Sequence, residues 1–233
     1  MYQEYISGVR RGLPVGMGYF SVSFGFGAMA VSQGLSWLSA VAISATNLTS
    51  AGQFAGLTGI GAAATLLEII LTQVVINSRY ALMSLALSQR LGEKIGLLPR
   101  LAIAFFNTDE IFALAMDRKE PLTTPYLLGL GTLPFFGWTG GTLCGALAGS
   151  ILPEALGNAL GIMLYGMFIA IVVPPAKAER PVAWAVGISL VLSCLFAWMP
   201  GLKGISSGLA IVICTVVAAA VCAKCFPVQE DAA

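Results

Sequence analysis

The sequence predicts an all-α polytopic membrane protein, a helical bundle of about seven to eight transmembrane helices. Three observations lead there. Of the 233 residues, 58% are hydrophobic and only 10% charged, against roughly 25% charged in an ordinary soluble domain, and the mean hydropathy is +0.88. Splitting the chain at Pro, Gly and charge clusters leaves about eight apolar segments of roughly 20 residues, the length that crosses a hydrocarbon core. No stretch between them could fold alone, and the longest polar run is the tail FPVQEDAA.

The segments run at approximately 13–33, 37–60, 63–88, 98–116, 124–151, 155–175, 182–200 and 204–224. Each is expected to be helical, because lipid offers the backbone no hydrogen-bond partner. The first follows Arg10 and Arg11 and ends near AMA at 28–30, which imitates a signal-peptidase site. Pro14, the nearby glycines and the many apolar segments that follow favour a first transmembrane helix that stays. The second segment is unlike the others: TNLTSAGQFAGLTG (46–59) concentrates Asn47, Thr49, Ser50 and Gln53 among glycines. A broken or re-entrant helix is expected there, with Gly52 and Gly56 at the break. The third carries Glu68, Gln73, Asn77, Ser78 and Arg79, and the fourth carries Asp109 and Glu110 within NTDEIFALAMD (107–117).

The fifth segment has a glycine at every fourth position, Gly137, Gly141, Gly145 and Gly149. Such stripes let helix backbones approach closely in lipid. Gly8/Gly12/Gly16, Gly52/Gly56 and Gly157/Gly161 repeat the spacing. Static packing is the plain reading and a sliding interface the functional one. FGFGAMA (24–30) and LCGALAG (143–149) occupy comparable places in the first segments of two candidate halves, 1–120 and 121–225. The whole chain, 1–233, is read as a single transmembrane domain.

Orientation follows from Lys and Arg in short loops. Arg10/Arg11, Arg118/Lys119, Lys177/Arg180 and Lys224 fall on one side of an eight-span arrangement, which places both termini in the cytoplasm. The loop QRLGEKIGLLPR (89–100) puts Arg90, Lys94 and Arg100 on the opposite side. Either one segment is re-entrant, or the third and fourth do not both cross fully.

Composition also excludes functions. There is no histidine, so His-based metal sites, general bases and proton relays are absent. No nucleophile–base pairing or metal-ligand cluster is visible, so neither an enzyme nor a cofactor is expected. A net charge of +1 with scattered basic residues gives no sign of nucleic acid. CAKC (222–225) stands without a second cysteine pair and reads as free thiols at the membrane edge. No P-loop is present, so an ATP-driven process would need a separate motor subunit.

Four ionisable residues lie well inside apolar segments: Glu68, Arg79, Asp109 and Glu110. A charge at a helix centre costs about 2.5–3.5 kcal/mol on insertion scales, and such residues mark functional sites by default. Glu68 and Arg79 share a helical face about 16 Å apart and cannot pair on a straight helix. Arg79 therefore needs a partner elsewhere, and Asp109 and Glu110 are the candidates. With three carboxylates to one guanidinium, at least one of Glu68, Asp109 and Glu110 is expected to hold a proton part of the time, as proton coupling requires. The plain alternative is a structural Asp109–Arg79 pair with Glu68 at a helix end. Asn47, Gln53 and Asn77 add neutral polar groups near the expected break. A zwitterion needs a cationic contact for its carboxylate, which Arg79 could supply. Its ammonium needs an anionic one, from Asp109 or Glu110.

GLPVGMGYFSVSFGFGAMA, SAGQFAG, NSRYALMSLAL and NTDEIFAL, in that order, resemble the AzlC family of branched-chain amino acid permeases. The likeness is concentrated in the first half. It implies a bacterial inner-membrane exporter of valine, leucine, isoleucine and related solutes such as methionine. It further implies an ion gradient as driving force and a small hydrophobic AzlD-type partner subunit. By position, the family's Gly-Gln-Phe element falls on Gly52, Gln53 and Phe54, its arginine on Arg79 and its acidic pair on Asp109 and Glu110. Members can carry an aspartate two residues before that arginine, where this chain has Asn77; this departure leaves Asp109 and Glu110 as the partners of Arg79. The leading expectation is proton-coupled export of neutral aliphatic amino acids. A passive channel for a small solute and a non-transporting subunit of a membrane complex are the alternatives.

Overall fold

The computed structural model describes residues 1–91, 95–148, 169, 172–202 and 204–227. The expected segment 155–175 lies largely outside these, as do Gly149, Gly157 and Gly161. Among the described residues the protein is all-helical, with one isolated bridge between Leu91 and Leu122. Four helices, Tyr2–Ser32, Leu66–Arg90, Arg180–Trp198 and Gly208–Cys225, are long and apolar enough to cross a membrane. The chain divides into two compact units, Met1–Phe54 with Asn77–Leu164, and Ala55–Ile76 with Tyr165–Ala233.

The first unit is built on α1 (Tyr2–Ser32) and α7 (Thr124–Ala148), which pack along each other. A Cβ added at Gly8 would meet the Tyr126 carbonyl, at Gly12 that of Leu130, and at Gly16 the backbone of Leu133. In return, Gly129 faces the Tyr5 carbonyl, Gly137 that of Gly16, Gly141 that of Phe20 and Gly145 that of Phe24. The pairings advance together, so the two helices run parallel with backbone on backbone. Small residues permit this approach, which brings van der Waals contact that lipid tails cannot supply. Both helices carry an internal proline, Pro14 and Pro134. Tyr5 and Tyr126, Gly8 and Gly129, and Gly16 and Gly137 each stand 121 residues apart.

Two helical hairpins enter beside this pair from opposite ends. α1 closes at Gly34, whose φ of +90° is the left-handed conformation that ends a helix cheaply only at glycine. Ser36 then caps α2 (Trp37–Thr46), accepting from the Ser39 amide at 3.0 Å. The chain breaks at residues 47–49 and resumes as α3 (Ser50–Gly61). Leu48 packs with Tyr19 and Trp138, whereas Phe54 meets Phe26 ring to edge at 5.4 Å. The tip therefore sits at the level of Tyr19, with Phe54 farther along α1 beside Phe26.

α4 (Leu66–Arg90) is followed by α5 (Leu97–Phe106), a break at Asn107 and Thr108, and α6 (Asp109–Met116). Glu4 accepts both Arg118 Nη2 at 2.9 Å and the Thr123 hydroxyl at 3.0 Å, so residues 118 and 123 share one level at the start of α1. Leu91 pairs with Leu122 at that level. A straight 97–116 segment would be about 29 Å long, and the link from Leu91 to Leu97 reaches at most about 21 Å. The break at Asn107 and Thr108 divides the segment, and its far end returns to Arg90 through the Met116 carbonyl. α5 and α6 thus stand in place of one continuous helix over 98–116. Arg90, which donates to the carbonyls of Met116 at 2.5 Å and Arg118 at 2.9 Å, belongs to the same end as Arg118. Arg11 with Asp117, and Arg118 with Glu120, complete a polar cluster there.

The second break of expectation concerns glycine. Gly52 and Gly56 lie inside α3 rather than at a break. The Asn47 side chain accepts the Thr49 amide at 3.1 Å, and Thr49 Oγ1 accepts the Gly52 amide at 3.3 Å. Local side-chain bonds of this kind divert the backbone from the helical ladder, whereas glycine inside a helix only weakens it.

In the second unit, Glu68 closes a capping box at the start of α4. Its Oε2 accepts from the Thr65 amide at 2.8 Å and hydroxyl at 3.0 Å, while Thr65 Oγ1 accepts the Glu68 amide at 3.3 Å. α8 (Arg180–Trp198) packs against α9 (Ser207–Cys225), and both present large exposed apolar side chains such as Trp184, Leu190 and Val216.

Gly140 and Gly141 test the central pair. A methyl at Gly140 meets nothing within 4 Å, whereas at Gly141 it meets Ser23 Oγ and the Phe20 carbonyl. Gly140→Ala is expected to hold or raise stability, by up to about 1 kcal/mol of helix propensity. Gly141→Ala is expected to lower it by about 1–3 kcal/mol. Thermal unfolding of the detergent-extracted variants compares them.

Candidate functional site

The two hairpin tips and α4 line an open-sided cavity of about 270 Å³. One wall is Thr46, Asn47, Leu48 and Thr49, the other Ala104, Phe105, Asn107 and Thr108, with Asn77 and Tyr80 from α4 between them. Among the described residues of this lining, tyrosine is the only ionisable type. Freed amides at each tip are capped alike: Thr49 Oγ1 takes the Gly52 amide, and Thr108 Oγ1 takes the Ile111 amide at 3.4 Å. Both breaks join an asparagine to a threonine N-cap, residue types that satisfy a helix start with their own side chains.

The first tip is braced from behind by Gln53, which is 4% exposed. Its Nε2 donates to the Asn47 carbonyl, while its Oε1 accepts from Ser44 Oγ and Trp138 Nε1, each at 3.2 Å. Ser44 in turn bonds Thr142 on α7 at 2.7 Å. Both ends of the Gln53 amide are engaged within the protein, so it positions the tip. Trp138 also meets Tyr19 edge to face, with centroids 5.3 Å apart.

A polar chain leads from the cavity to an ion pair. Thr49 donates to Asn77 Oδ1 at 2.7 Å, Tyr80 donates to Thr49 at 3.2 Å, and Arg79 Nη2 reaches the Tyr80 oxygen at 3.4 Å. The same nitrogen lies 2.9 Å from Asp109 Oδ2, with the two side chains 42% and 38% exposed. A second chain runs along the other wall. The Tyr19 hydroxyl lies 2.7 Å from Thr108 Oγ1 and 2.5 Å from Glu110 Oε2, so it bridges the two side chains. The adjacent acids therefore have separate partners: Asp109 a cation, Glu110 a phenol.

Of the residues singled out in the sequence, the structure gathers Asn47, Asn77, Arg79, Asp109 and Glu110 around the tips, with Gln53 behind. Glu68 caps α4 in the other unit, and Gly52 and Gly56 lie within α3. Thr49 was named only among neutral polar residues, and Thr108, Tyr19, Tyr80 and Asn107 received no role. An Asn followed within two residues by Thr, inside an apolar run, is the signal that marks both tips. Among the described residues no group of three or more Cys, Asp or Glu is placed to hold a metal.

The family model described as AzlC protein matches residues 14–152, a stretch that contains both tips, Arg79, Asp109 and Glu110. An uncharacterized membrane protein of Archaeoglobus fulgidus is 32% identical over 190 residues, covering 79% of this chain and 83% of that protein. Inner membrane protein YgaZ of Escherichia coli is 28% identical over 194 residues, covering 80% and 78%. A Helicobacter pylori membrane protein is 27% identical over 184 residues. No solved structure matches significantly. With a matching family model over more than half its length and relatives named as membrane proteins along most of it, this chain is a membrane protein of the AzlC family.

Proposed function

We propose that the protein is a secondary transporter that exports neutral aliphatic amino acids across the bacterial inner membrane, coupled to protons. The observation that carries this reading is the cavity where two interrupted helices meet. Interrupted helices expose backbone groups at mid-depth of a membrane, the usual place for solute sites in such transporters. α2 and α5, at 10 residues each, are about 15 Å long, half of a hydrocarbon core of about 30 Å.

In this reading the two hairpins are re-entrant, and among the described helices α1, α4, α7, α8 and α9 cross. Arg10/Arg11, Arg90/Lys94/Arg100, Arg118/Lys119, Lys177/Arg180 and Lys224 then all fall on one side. The positive-inside rule makes that side cytoplasmic, with both termini there. The 121-residue offset between α1 and α7 supports two related halves within a single transmembrane domain. A small AzlD-type subunit, the partner that the family resemblance implies, would complete the transporter in the bilayer.

Substrate binds between the tips, among Asn47, Asn77 and the Thr caps, with Leu48, Ala104 and Phe105 beside its aliphatic part. Its carboxylate competes with Asp109 for Arg79, which the Tyr80–Thr49 chain links to the cavity. Glu110, held by a neutral phenol rather than by a cation, takes a proton on one side and releases it on the other. Gly52 and Gly56 set the packing of α3, and Glu68 keeps the α4 start in place.

Cells loaded with leucine should export it faster with this protein and its small partner than without. Arg79→Ala should abolish that gain at equal expression, and unchanged efflux would remove Arg79 from the site. In proteoliposomes, Glu110→Gln should keep leucine exchange while losing the response to a pH gradient; a variant that still follows the gradient would assign coupling elsewhere. For topology, cysteines introduced at Ile95 and Lys119 in a cysteine-free background should both label from the cytoplasmic side. Labelling from opposite faces would restore a spanning 98–116 segment.

A further inference from the structure

We propose that Asn107 recognises the amino group of the transported solute, with Oδ1 as the acceptor, so that the cavity selects small solutes bearing a primary ammonium. The inference rests on the export reading and adds the substrate feature the site detects. Asn107 ends α5, where its amide donates to the Ala104 carbonyl, and it is 4% exposed. Its Nδ2 donates to Ser84 Oγ at 2.9 Å, so one end of the amide is held inside the protein. Oδ1 is buried and has no partner. A buried acceptor left unmade is costly in any fold, and Asn107 is one of the residues that line the cavity.

The other side-chain oxygens of that lining have bonds within the protein. Asn47 Oδ1 accepts the Thr49 amide and Asn77 Oδ1 the Thr49 hydroxyl. Thr108 Oγ1 serves the Ile111 amide and Tyr19, the Tyr80 hydroxyl donates to Thr49, and Thr46 donates to the Ala42 carbonyl. Among the described side-chain oxygens of the lining residues, Asn107 Oδ1 is thus the one without a bond inside the protein, left for an N–H or O–H of the solute. A 2-oxo acid has the same skeleton and carboxylate as its amino acid but no such donor. Rejection of an analogue lacking the donor is what a buried polar group produces most strongly.

The test measures leucine counterflow in proteoliposomes of the full-length protein with its small partner. Competitors are 4-methyl-2-oxopentanoate, which lacks the ammonium, and 3-methylbutylamine, which lacks the carboxylate. The amine should compete and the oxo acid should not. Asn107→Leu should raise the leucine KM by about 10- to 100-fold, the loss of one hydrogen bond to a charged group. Asn107→Asp, which keeps the acceptor, should retain competition by the amine. Ser84→Ala should raise KM a few-fold through lost positioning, with maximal exchange unchanged. Competition by the oxo acid equal to that of leucine, or an Asn107→Leu protein with unaltered KM, overturns the inference and leaves export standing. A defect in Asn107→Leu confined to sodium dependence reassigns the acceptor to an ion and overturns it as well. Absence of leucine exchange in the unaltered protein overturns both readings. Should Asn107→Leu fail to fold, the two competitors decide on the unaltered protein alone.

Discussion

Backbone hydrogen bonds are the constraint on which this fold depends. A chain in hydrocarbon satisfies its amides and carbonyls by remaining helical, and each unsatisfied group costs several kcal/mol. This protein interrupts two helices in one place and must close both. Each interruption is an asparagine leading to a threonine cap, and both tips rest at the level of Tyr19. What remains between them is a small polar cavity, and its position follows from where the helices stop. The glycine contacts of α1 and α7 are the complementary requirement: they hold Tyr19 and Trp138 against the tips.

The charges follow from the same arrangement. Arg79 is one residue from Tyr80 on α4, and Asp109 and Glu110 open α6, where an acidic first turn favours the helix dipole. The fold separates the two acids by their partners rather than by distance along the chain. Asp109 faces a guanidinium and Glu110 a phenol, and each lies at the end of a hydrogen-bond chain that begins at the cavity. A solute that rearranges the lining therefore changes the surroundings of both acids. In a low-dielectric setting such networks carry more energy than exposed ones.

Composition and segment length made the helical membrane class legible, and the density of Asn, Thr, Ser and Gln over 46–59 marked an interruption there. Its position was not legible, because glycine draws attention as a breaker while Asn47 and Thr49 do the breaking. The 97–116 interruption stayed one of two readings for a different reason: hydropathy cannot distinguish about 20 apolar residues that cross from the same number that enter and return. The signal was present in Arg90, Lys94 and Arg100, which sat on the wrong side of an eight-span arrangement. Thr65 followed by Glu68 is a capping box that local pattern could have assigned. The Asn–Thr pattern marks Asn107 as part of a tip, but its unpartnered oxygen shows only in the folded chain.

The central claim is that the solute occupies the cavity between the two tips. Ala104 lines it on the side of the second hairpin, whereas Cys225 ends α9. With the other native cysteines replaced, the rate of maleimide labelling at Ala104→Cys can be compared with that at Cys225 as leucine is added. The account predicts that leucine slows labelling at position 104 in a saturable way and leaves Cys225 unchanged. Labelling at 104 that proceeds at the same rate with and without saturating leucine, in a protein that still exports it, would contradict the account.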